Sequence, residues 1–282
     1  INCYGDNTGN ASIDVNGGVS PYSLVWSSLL IDTISENLIA TNLTAGWTYC
    51  TIKDDNNCIR KDSVFISEND SLHTINTLSD FNTYSVSCNG LSNGSIDISI
   101  VGGFGPFNLK WDNVADSTYI DSLSQGIYLL EIEDSLGCQF SDTITITEPT
   151  QINMIETHQN VSCNGYNDGS LSFSITGGVP SYSISGAIIN SSVSLLDTIS
   201  INNIYASNQT FTITDQNNCI YIDSIIILEP STLFGHTTLL EYNGVNISCK
   251  GESTGFIILD SISGGNAPYD YYWFDSNGDT LS

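Results

Sequence analysis

Sulfur is the chemistry this chain offers most plainly. Eight cysteines occur in 282 residues, and seven of them fall into a pattern. Four open a recurring phrase: Cys3, Cys88, Cys163 and Cys249, spaced 85, 75 and 86 residues apart. Three follow a tight polar turn: Cys58 after Asp54-Asp55-Asn56-Asn57, Cys138 after Asp134-Ser135-Leu136-Gly137, and Cys219 after Asp215-Gln216-Asn217-Asn218. One opening and one turn cysteine per phrase predicts the disulfides Cys3–Cys58, Cys88–Cys138 and Cys163–Cys219, with Cys249 directed to a partner beyond residue 282. Each bridge would close a loop of roughly 50 residues, a stabilisation of about 4 kcal/mol in the chain-entropy model, and would need an oxidising compartment. Cys50 stands outside the pattern. It aligns with Leu130 and Phe211 and reads as a buried free thiol acting as a small hydrophobe. Reduced thiols in a cytosolic protein are the alternative. Zinc is disfavoured, because no Cys-x-x-Cys pair or His–Cys cluster exists.

Carboxylates come next. Asp6, Asp168 and the turn aspartates Asp54, Asp55, Asp134 and Asp215 are the groups that could ligate Ca2+, the one cofactor this composition suggests. The loops do not match the twelve-residue calcium signature, and Asp and Asn occupy turns for local hydrogen-bonding reasons as well. The three histidines, His73, His158 and His236, lie far apart with no nucleophile at a repeated spacing, so no catalytic set is expected and we read the chain as no enzyme. Lys53, Lys61, Lys110 and Lys250 fall at non-equivalent positions, which argues against a covalent Lys–Asn cross-link in each unit. An aspartate followed by Ser or Thr and then an aliphatic residue or threonine recurs eleven times, at Thr33, Ser63, Ser71, Ser117, Ser122, Ser135, Thr143, Thr198, Ser224, Ser261 and Thr280. That triplet resembles the O-glycosylation signal of secreted Bacteroidota proteins. Sugars there would cover strand edges and hinder edge-to-edge pairing.

These groups need a scaffold, and the phrase supplies one. Six residues past each opening cysteine stands a glycine (Gly9, Gly94, Gly169, Gly255). An alternating apolar run follows, as in Ile96, Ile98 and Ile100, which is a half-buried strand. A Gly-Gly pair turns the chain (Gly17-Gly18, Gly102-Gly103, Gly177-Gly178, Gly264-Gly265). Inward faces at period two come next: Tyr22, Leu24, Trp26; Phe107, Leu109, Trp111; Tyr182, Ile184; Tyr269, Tyr271, Trp273. The third repeat has Gly186 where tryptophan is expected, so its core must be filled differently. Leu123-x-x-Gly126-x-Tyr128 has the form of the tyrosine corner of immunoglobulin sandwiches; the first repeat has Thr48 in that place. Asn and Gly at the turn ends suit the left-handed conformation of a short hairpin. Glu148-Pro149 and Glu229-Pro230 close two units, and Glu68-Asn69 stands in for the first. Proline there stops the ladder and stiffens the joint. Short strands with turn signals and no helical period give an all-β fold, tandem immunoglobulin-like β-sandwiches in a linear array. The expected domains are 1–69 (lacking its first strand), 70–149, 150–230 and 231–282 (C-terminally truncated). The chain begins inside one phrase and stops inside another, so we read it as an excerpt whose missing signal peptide says nothing of export.

The formal charge is −26, from 31 acids against five bases. Such a surface repels phosphate backbones and anionic headgroups, so nucleic-acid binding is excluded. No run approaches the ~18 apolar residues of a bilayer span. Forty per cent hydrophobic content is too much for a disordered acidic tail.

Taken together, Val161-Ser162-Cys163-Asn164-Gly165, Asp168-Gly169-Ser170, Gly177-Gly178 and Tyr182 resemble the SprB repeat of gliding-bacterium surface adhesins. So do Val86 to Gly90, Gly102-Gly103, Pro106-Phe107, Trp111, Asp134, Gly137-Cys138 and Glu148-Pro149. The resemblance implies a segment of a very long protein exported by the type IX system and displayed as an extracellular filament at the cell surface, in gliding motility. Its partners would be neighbouring repeats of the same chain, other copies in a filament, and surface glycans or substrata. The alternatives are a carbohydrate-binding array, with Tyr271, Tyr272, Trp273 or Trp47 stacking on sugars, and the spacer of a secreted multidomain enzyme.

Overall fold

The computed structural model describes residues 1–26, 39–112, 116–193 and 198–281. Among them every regular element is a strand. The chain falls into two compact units, Ile1–Glu148 and Pro149–Ser282.

The first unit carries β1 (Gly9–Ser12), β2 (Ser23–Trp26), β3 (Ile39–Leu43), β4 (Gly46–Lys53), β5 (Ile59–Ile66), β6 (His73–Leu78), β7 (Gly94–Val101), β8 (Asn108–Trp111), β9 (Tyr119–Leu123), β10 (Gly126–Glu133) and β11 (Gln139–Ile146). The second repeat is the complete example. Its sheets are β6-β7-β9 and β11-β10-β8, all antiparallel. First, second and fourth strands in one sheet, with third, fifth and sixth in the other, is immunoglobulin topology. Alternation drives it: Ile96 and Ile98 of β7 and Leu130 and Ile132 of β10 are buried while their neighbours point out, and both sheets feed one core with Val86, Trp111 and Ile146. The tyrosine corner is made, Tyr128 donating its hydroxyl to the Ser124 carbonyl at 3.0 Å. The first repeat has sheets β1-β3 and β2-β4-β5.

The second unit carries β12 (Asn153–Gln159), β13 (Gly169–Thr176), β14 (Tyr182–Gly186), β15 (Ile189–Val193), β16 (Ile199–Ile204), β17 (Ser207–Thr214), β18 (Ile220–Ile227), β19 (Phe234–Leu239), β20 (Ile257–Ser263), β21 (Trp273–Phe274) and β22 (Thr280–Leu281). The third repeat has sheets β12-β13-β16 and β15-β14-β17-β18, the extra strand extending the second sheet. Its missing tryptophan is answered across the strand pair. Gly186 lies opposite Phe211, as Trp111 lies opposite Leu130 and Trp26 opposite Cys50. A Cβ on Gly186 would sit 3.2 Å from the Phe211 ring. One large ring per pair fills the same space from either strand, which also accounts for the small Cys50.

The fourth repeat departs from expectation. Tyr271 is 63% exposed rather than inward, because among the described residues no strand pairs with 269–272 and β19-β20 stand as a separate two-stranded sheet.

The Gly-Gly pair has a double steric cause. Both residues have positive φ, 73° and 63° at Gly102-Gly103 and at Gly177-Gly178. A Cβ on Gly177 would lie 1.9 Å from the Gln151 carbonyl oxygen, and one on Gly178 2.8 Å from an Asp215 oxygen. The preceding linker crosses the first glycine and the turn aspartate reaches the second. Gly177→Ala therefore combines left-handed strain with a backbone clash. Urea unfolding should show a loss of more than about 2 kcal/mol in the third repeat; a change below about 0.5 kcal/mol would contradict the packing.

Candidate functional site

The turn aspartates build the first part of the site. One oxygen of Asp134, Oδ1, accepts the amides of Leu136 and Cys138 at 2.9 Å each and so shapes the β10–β11 turn. The other, Oδ2, accepts the Phe104 amide at 2.9 Å, just past Gly102-Gly103. Ser135 donates its amide to the Phe104 carbonyl. Asp215 repeats this with Asn217, Cys219 and Val179 at 2.8, 2.9 and 2.8 Å, and Asp54 with Cys58 and Val19 at 2.8 and 3.2 Å. Asn57, Gly137 and Asn218 take the left-handed conformation that closes each turn. Burial opposes charge on Asp134, but the amides of Cys138, Phe104, Leu136 and Gly137 outweigh it and hold its carboxyl below the ordinary value. Each of these three carboxylates accepts backbone amides on both of its oxygens. Asp168 accepts the Ser162 amide at 3.0 Å. Among the described residues no group of three or more His, Cys, Asp or Glu side chains is placed to hold a metal ion.

The opposite pole of each repeat is tied by glutamate. Glu148 accepts the Gly90 amide at 2.8 Å and the Asn89 side chain at 2.9 Å. Glu229 accepts the Gly165 amide and Glu68 the Gly5 amide, at 2.6 and 2.7 Å. Val86 and Ser85 donate to Thr147. Each opening-cysteine loop is thereby fastened to the end of its repeat's last strand, whereas each turn cysteine stands at that strand's start.

This geometry corrects the cysteine pairing. β11 runs eight residues between the two poles, about 27 Å at ~3.4 Å per residue, while a disulfide needs Cα atoms within about 7 Å. The expected Cys88–Cys138, Cys3–Cys58 and Cys163–Cys219 bridges are therefore absent. Cys138 is bonded instead to Cys3, with Cα atoms 5.4 Å apart, across the joint between the first and second repeats. Cys88 and Cys219 are in disulfide form as well. Cys58, Cys163 and Cys249 are exposed free thiols. Cys50 is a buried free thiol, and burial first, then the Asp62 carboxylate, pushes its pKa up; it is an inert core residue.

The Asn2 carbonyl accepts from Asn69 Nδ2 at 2.8 Å and lies 3.4 Å from the Cys138 sulfur. The linker continues over Gly102, and Gly103 donates to Asp70. The signal that could have found this pairing was the position of the turn cysteine relative to strand length: an eight-residue strand separates it from the Glu-Pro end.

The described hydroxyl residues of the Asp-Ser/Thr triplets are exposed (Ser63, Ser71, Ser122, Ser135, Thr143, Thr198, Ser224, Ser261 and Thr280), with Ser117 half-buried; Thr33 lies outside the described residues. Ser63, Thr143 and Ser224 share one register position on the outer sheet, and each donates its amide to the aspartate before it at 2.8 Å. The histidines pair locally: His73 with the Ser71 carbonyl, His158 with Glu156 and His236 with Asp260. Trp47 is exposed outward, against Phe65 in an edge contact at 5.4 Å.

Because the native Asp134 pKa is depressed, its contribution to stability is complete above the unfolded carboxylate value, about 3.9, and drains away as pH falls through the lower native value. Asp134→Asn should melt several degrees lower at pH 7. The difference from the parent should shrink in scans below about pH 4; a pH-independent gap would contradict the carboxylate's role.

Comparison with known proteins agrees with the repeat pattern. The SprB repeat family model matches residues 81–116, 155–185 and 242–280. No curated protein matches the chain. Among solved structures, the chain is similar to the Dpr2 Ig1-Ig2 protein in complex with DIP-Theta Ig1-Ig3, at 10% identity and TM-score 0.23, covering 77% of this chain and 91% of that one. It is also similar to the N-terminal eight Ig domains of Down Syndrome Cell Adhesion Molecule, at 9% identity and TM-score 0.23, covering 90% of this chain and 48% of that one. Domains 4–9 of the surface layer protein SbsC match at 12% identity and TM-score 0.19, over 79% of this chain and 42% of that one. The SprB repeat model is thus detected in three successive segments, each running from the opening-cysteine region past the Gly-Gly turn, in a chain whose complete second repeat has the immunoglobulin-like topology described above.

Proposed function

We propose that this chain is a structural and adhesive segment of a long extracellular filament at a bacterial surface, stapled by disulfides between neighbouring repeats, O-glycosylated, and not an enzyme. The observation that carries the reading is the Cys3–Cys138 bond, which joins two successive repeats beside their peptide linker. Two covalent connections at one joint suit a chain that bears load. Oxidised cysteines suit life outside the cell, as does a formal charge of −26. No helix among the described residues is long and apolar enough to cross a membrane. In the native protein, export by the type IX route and a place in gliding motility would follow from the SprB family. The domain limits 1–69, 70–149, 150–230 and 231–282 remain our division of the array.

The staple fixes where tension runs. A pull along the chain enters at Cys3, crosses the sulfur bond and leaves at Cys138. The 135 residues of sequence separation between them are shielded. Both repeats can lose their sheets without that segment lengthening. In single-molecule pulling with handles at residues 1 and 148, so that only the Cys3–Cys138 bond sets the path, adding a reductant should release an extra contour length of roughly 450–490 Å, the reach of that segment at ~3.3–3.6 Å per residue. Equal contour lengths in oxidised and reduced chains would remove the mechanical reading.

Glycosylation is read from exposure and register: Ser63, Thr143 and Ser224 present their hydroxyls at one repeated place on the outer sheet. Peptide mass spectrometry of native material should find hexose-bearing mass additions on these three peptides. Unmodified peptides throughout would sink this part of the proposal and leave the staple untouched.

A further inference from the structure

The outer face of the sheet β2-β4-β5 differs from the rest of this acidic molecule. On β4 the outward residues are Trp47, Tyr49, Thr51 and Lys53; on β5, in register with them, they are Phe65, Ser63, Lys61 and Ile59. Strand β2 adds Val25 and Ser23. The inward alternates of β4 are Thr48 and Cys50, both buried. No carboxylate occurs among the outward residues of these three strands, in a chain with 31 acids. Asp62, the one acid of β5, pairs in register with buried Cys50 and so takes the other face.

Two of the five cations of the chain are on this face, and neither Lys53 nor Lys61 forms an ion pair among the described residues. The aromatic rings are presented to solvent: Trp47 is 62% exposed, Phe65 57% and Tyr49 55%. Other repeats have nothing equivalent. In the second, Ile127 and Thr145 replace Trp47 and Phe65, and Glu133 and Ser141 replace the lysines. In the third, the same places hold Asn208, Ile226, Thr214 and Ile222. Folding does not require these residues, since two sibling sheets form without them.

We infer that the outer face of β2-β4-β5, with Trp47, Phe65 and Tyr49 at one end and Lys53 and Lys61 at the other, is a binding site for an acidic polysaccharide. The inference rests on the adhesive reading above and names its ligand class. The C–H face of a pyranose packs on an aromatic ring, whose broad apolar surface loses little conformational entropy on binding. A uronate carboxylate further along the same glycan reaches the lysines, whose charge is unopposed on this face. Trp47 and Lys53 are six residues apart on one strand, about 20 Å at ~3.4 Å per residue, which an oligosaccharide rather than a single sugar spans. The net charge of the chain repels polyanions in general, so a site for one has to be built locally, and this face holds two lysines with no acid at its outward strand positions.

The test uses the disulfide-bonded chain produced without O-glycans, so that no sugar on Ser63 covers the face. The probe is an oligogalacturonate, read by tryptophan fluorescence and calorimetry, with its neutral methyl ester as the control. Binding is expected to weaken about tenfold or more in Trp47→Ala, the loss of about 1.4 kcal/mol or more. In Lys53→Gln/Lys61→Gln it should weaken several-fold and lose its salt dependence, and the methyl ester should bind as weakly to the parent as the acid does to that variant. All substituted side chains are exposed, so unchanged melting temperatures will show that the fold persists. The inference is overturned by absent oligogalacturonate binding at millimolar concentration, by binding that survives Trp47→Ala, or by equal binding of acid and ester. Self-association lost in Trp47→Ala, without glycan binding, would overturn it in favour of a second copy of this chain. None of these failures touches the stapled-segment reading, which the contour-length measurement tests by itself.

Discussion

In each of the first three repeats one carboxylate, shared between two loops, holds the architecture together. Asp134 gives one oxygen to the hairpin that carries Cys138 and the other to the loop that follows Gly102-Gly103. Both loops lie at the pole where the chain enters the repeat. The glycines are needed because the linker and the carboxylate leave no room for a Cβ. The cysteine is presented toward the preceding repeat because the turn that ends in it is pinned. Asp215 and Asp54 bridge the corresponding two loops within their own repeats. A buried anion satisfied by several amides is costly to disturb, since any lost donor leaves charge unpaired.

A second tie at the far pole completes the logic. Glutamate at the end of the last strand holds the opening-cysteine loop. Each of the first three repeats therefore carries one sulfur at either end, separated by the length of a strand. Neither can reach the other, and Cys138 is bonded to Cys3 of the neighbouring repeat. The joint between the first and second repeats has a peptide linker, a disulfide and a hydrogen bond from the Asn69 side chain to the Asn2 carbonyl. A hinge of that kind resists bending more than a proline alone, which was the only stiffening device evident in the linker composition.

Between these fixed poles the faces are free to diverge. The interior conserves volume by exchanging a ring across the strand pair, as in Trp111 with Leu130 and Gly186 with Phe211. The exterior conserves little. It carries rings and lysines in the first repeat, glutamates in the second, and threonine and isoleucine in the third. A fold secured at its ends and in its core can accept such variation, because exposed side chains on a sheet contribute little to stability beyond their cross-strand neighbours.

Much was legible in the chain itself. Period-two runs such as Ile96, Ile98 and Ile100 specify strands, and the absence of any helical period excludes helices. The recurrence of Cys, Gly-Gly and aromatic specifies a string of similar sandwiches, and a turn ending in Asn or Gly specifies a left-handed residue. Cys50 as a buried thiol followed from its alignment with Leu130 and Phe211. The exposure of Tyr271 did not follow, because alternation tells which residues share a face and not whether a second sheet covers it. The bonding of sulfur also lay outside the sequence. Spacing along the chain says which cysteines recur together, whereas a disulfide depends on distance through space, and a strand places its two ends as far apart as its residues allow. Local sequence thus determined the elements and their alternation. Only the tertiary arrangement decided that Cys3 meets Cys138, because the poles of successive repeats, not of one repeat, are what the linker brings together.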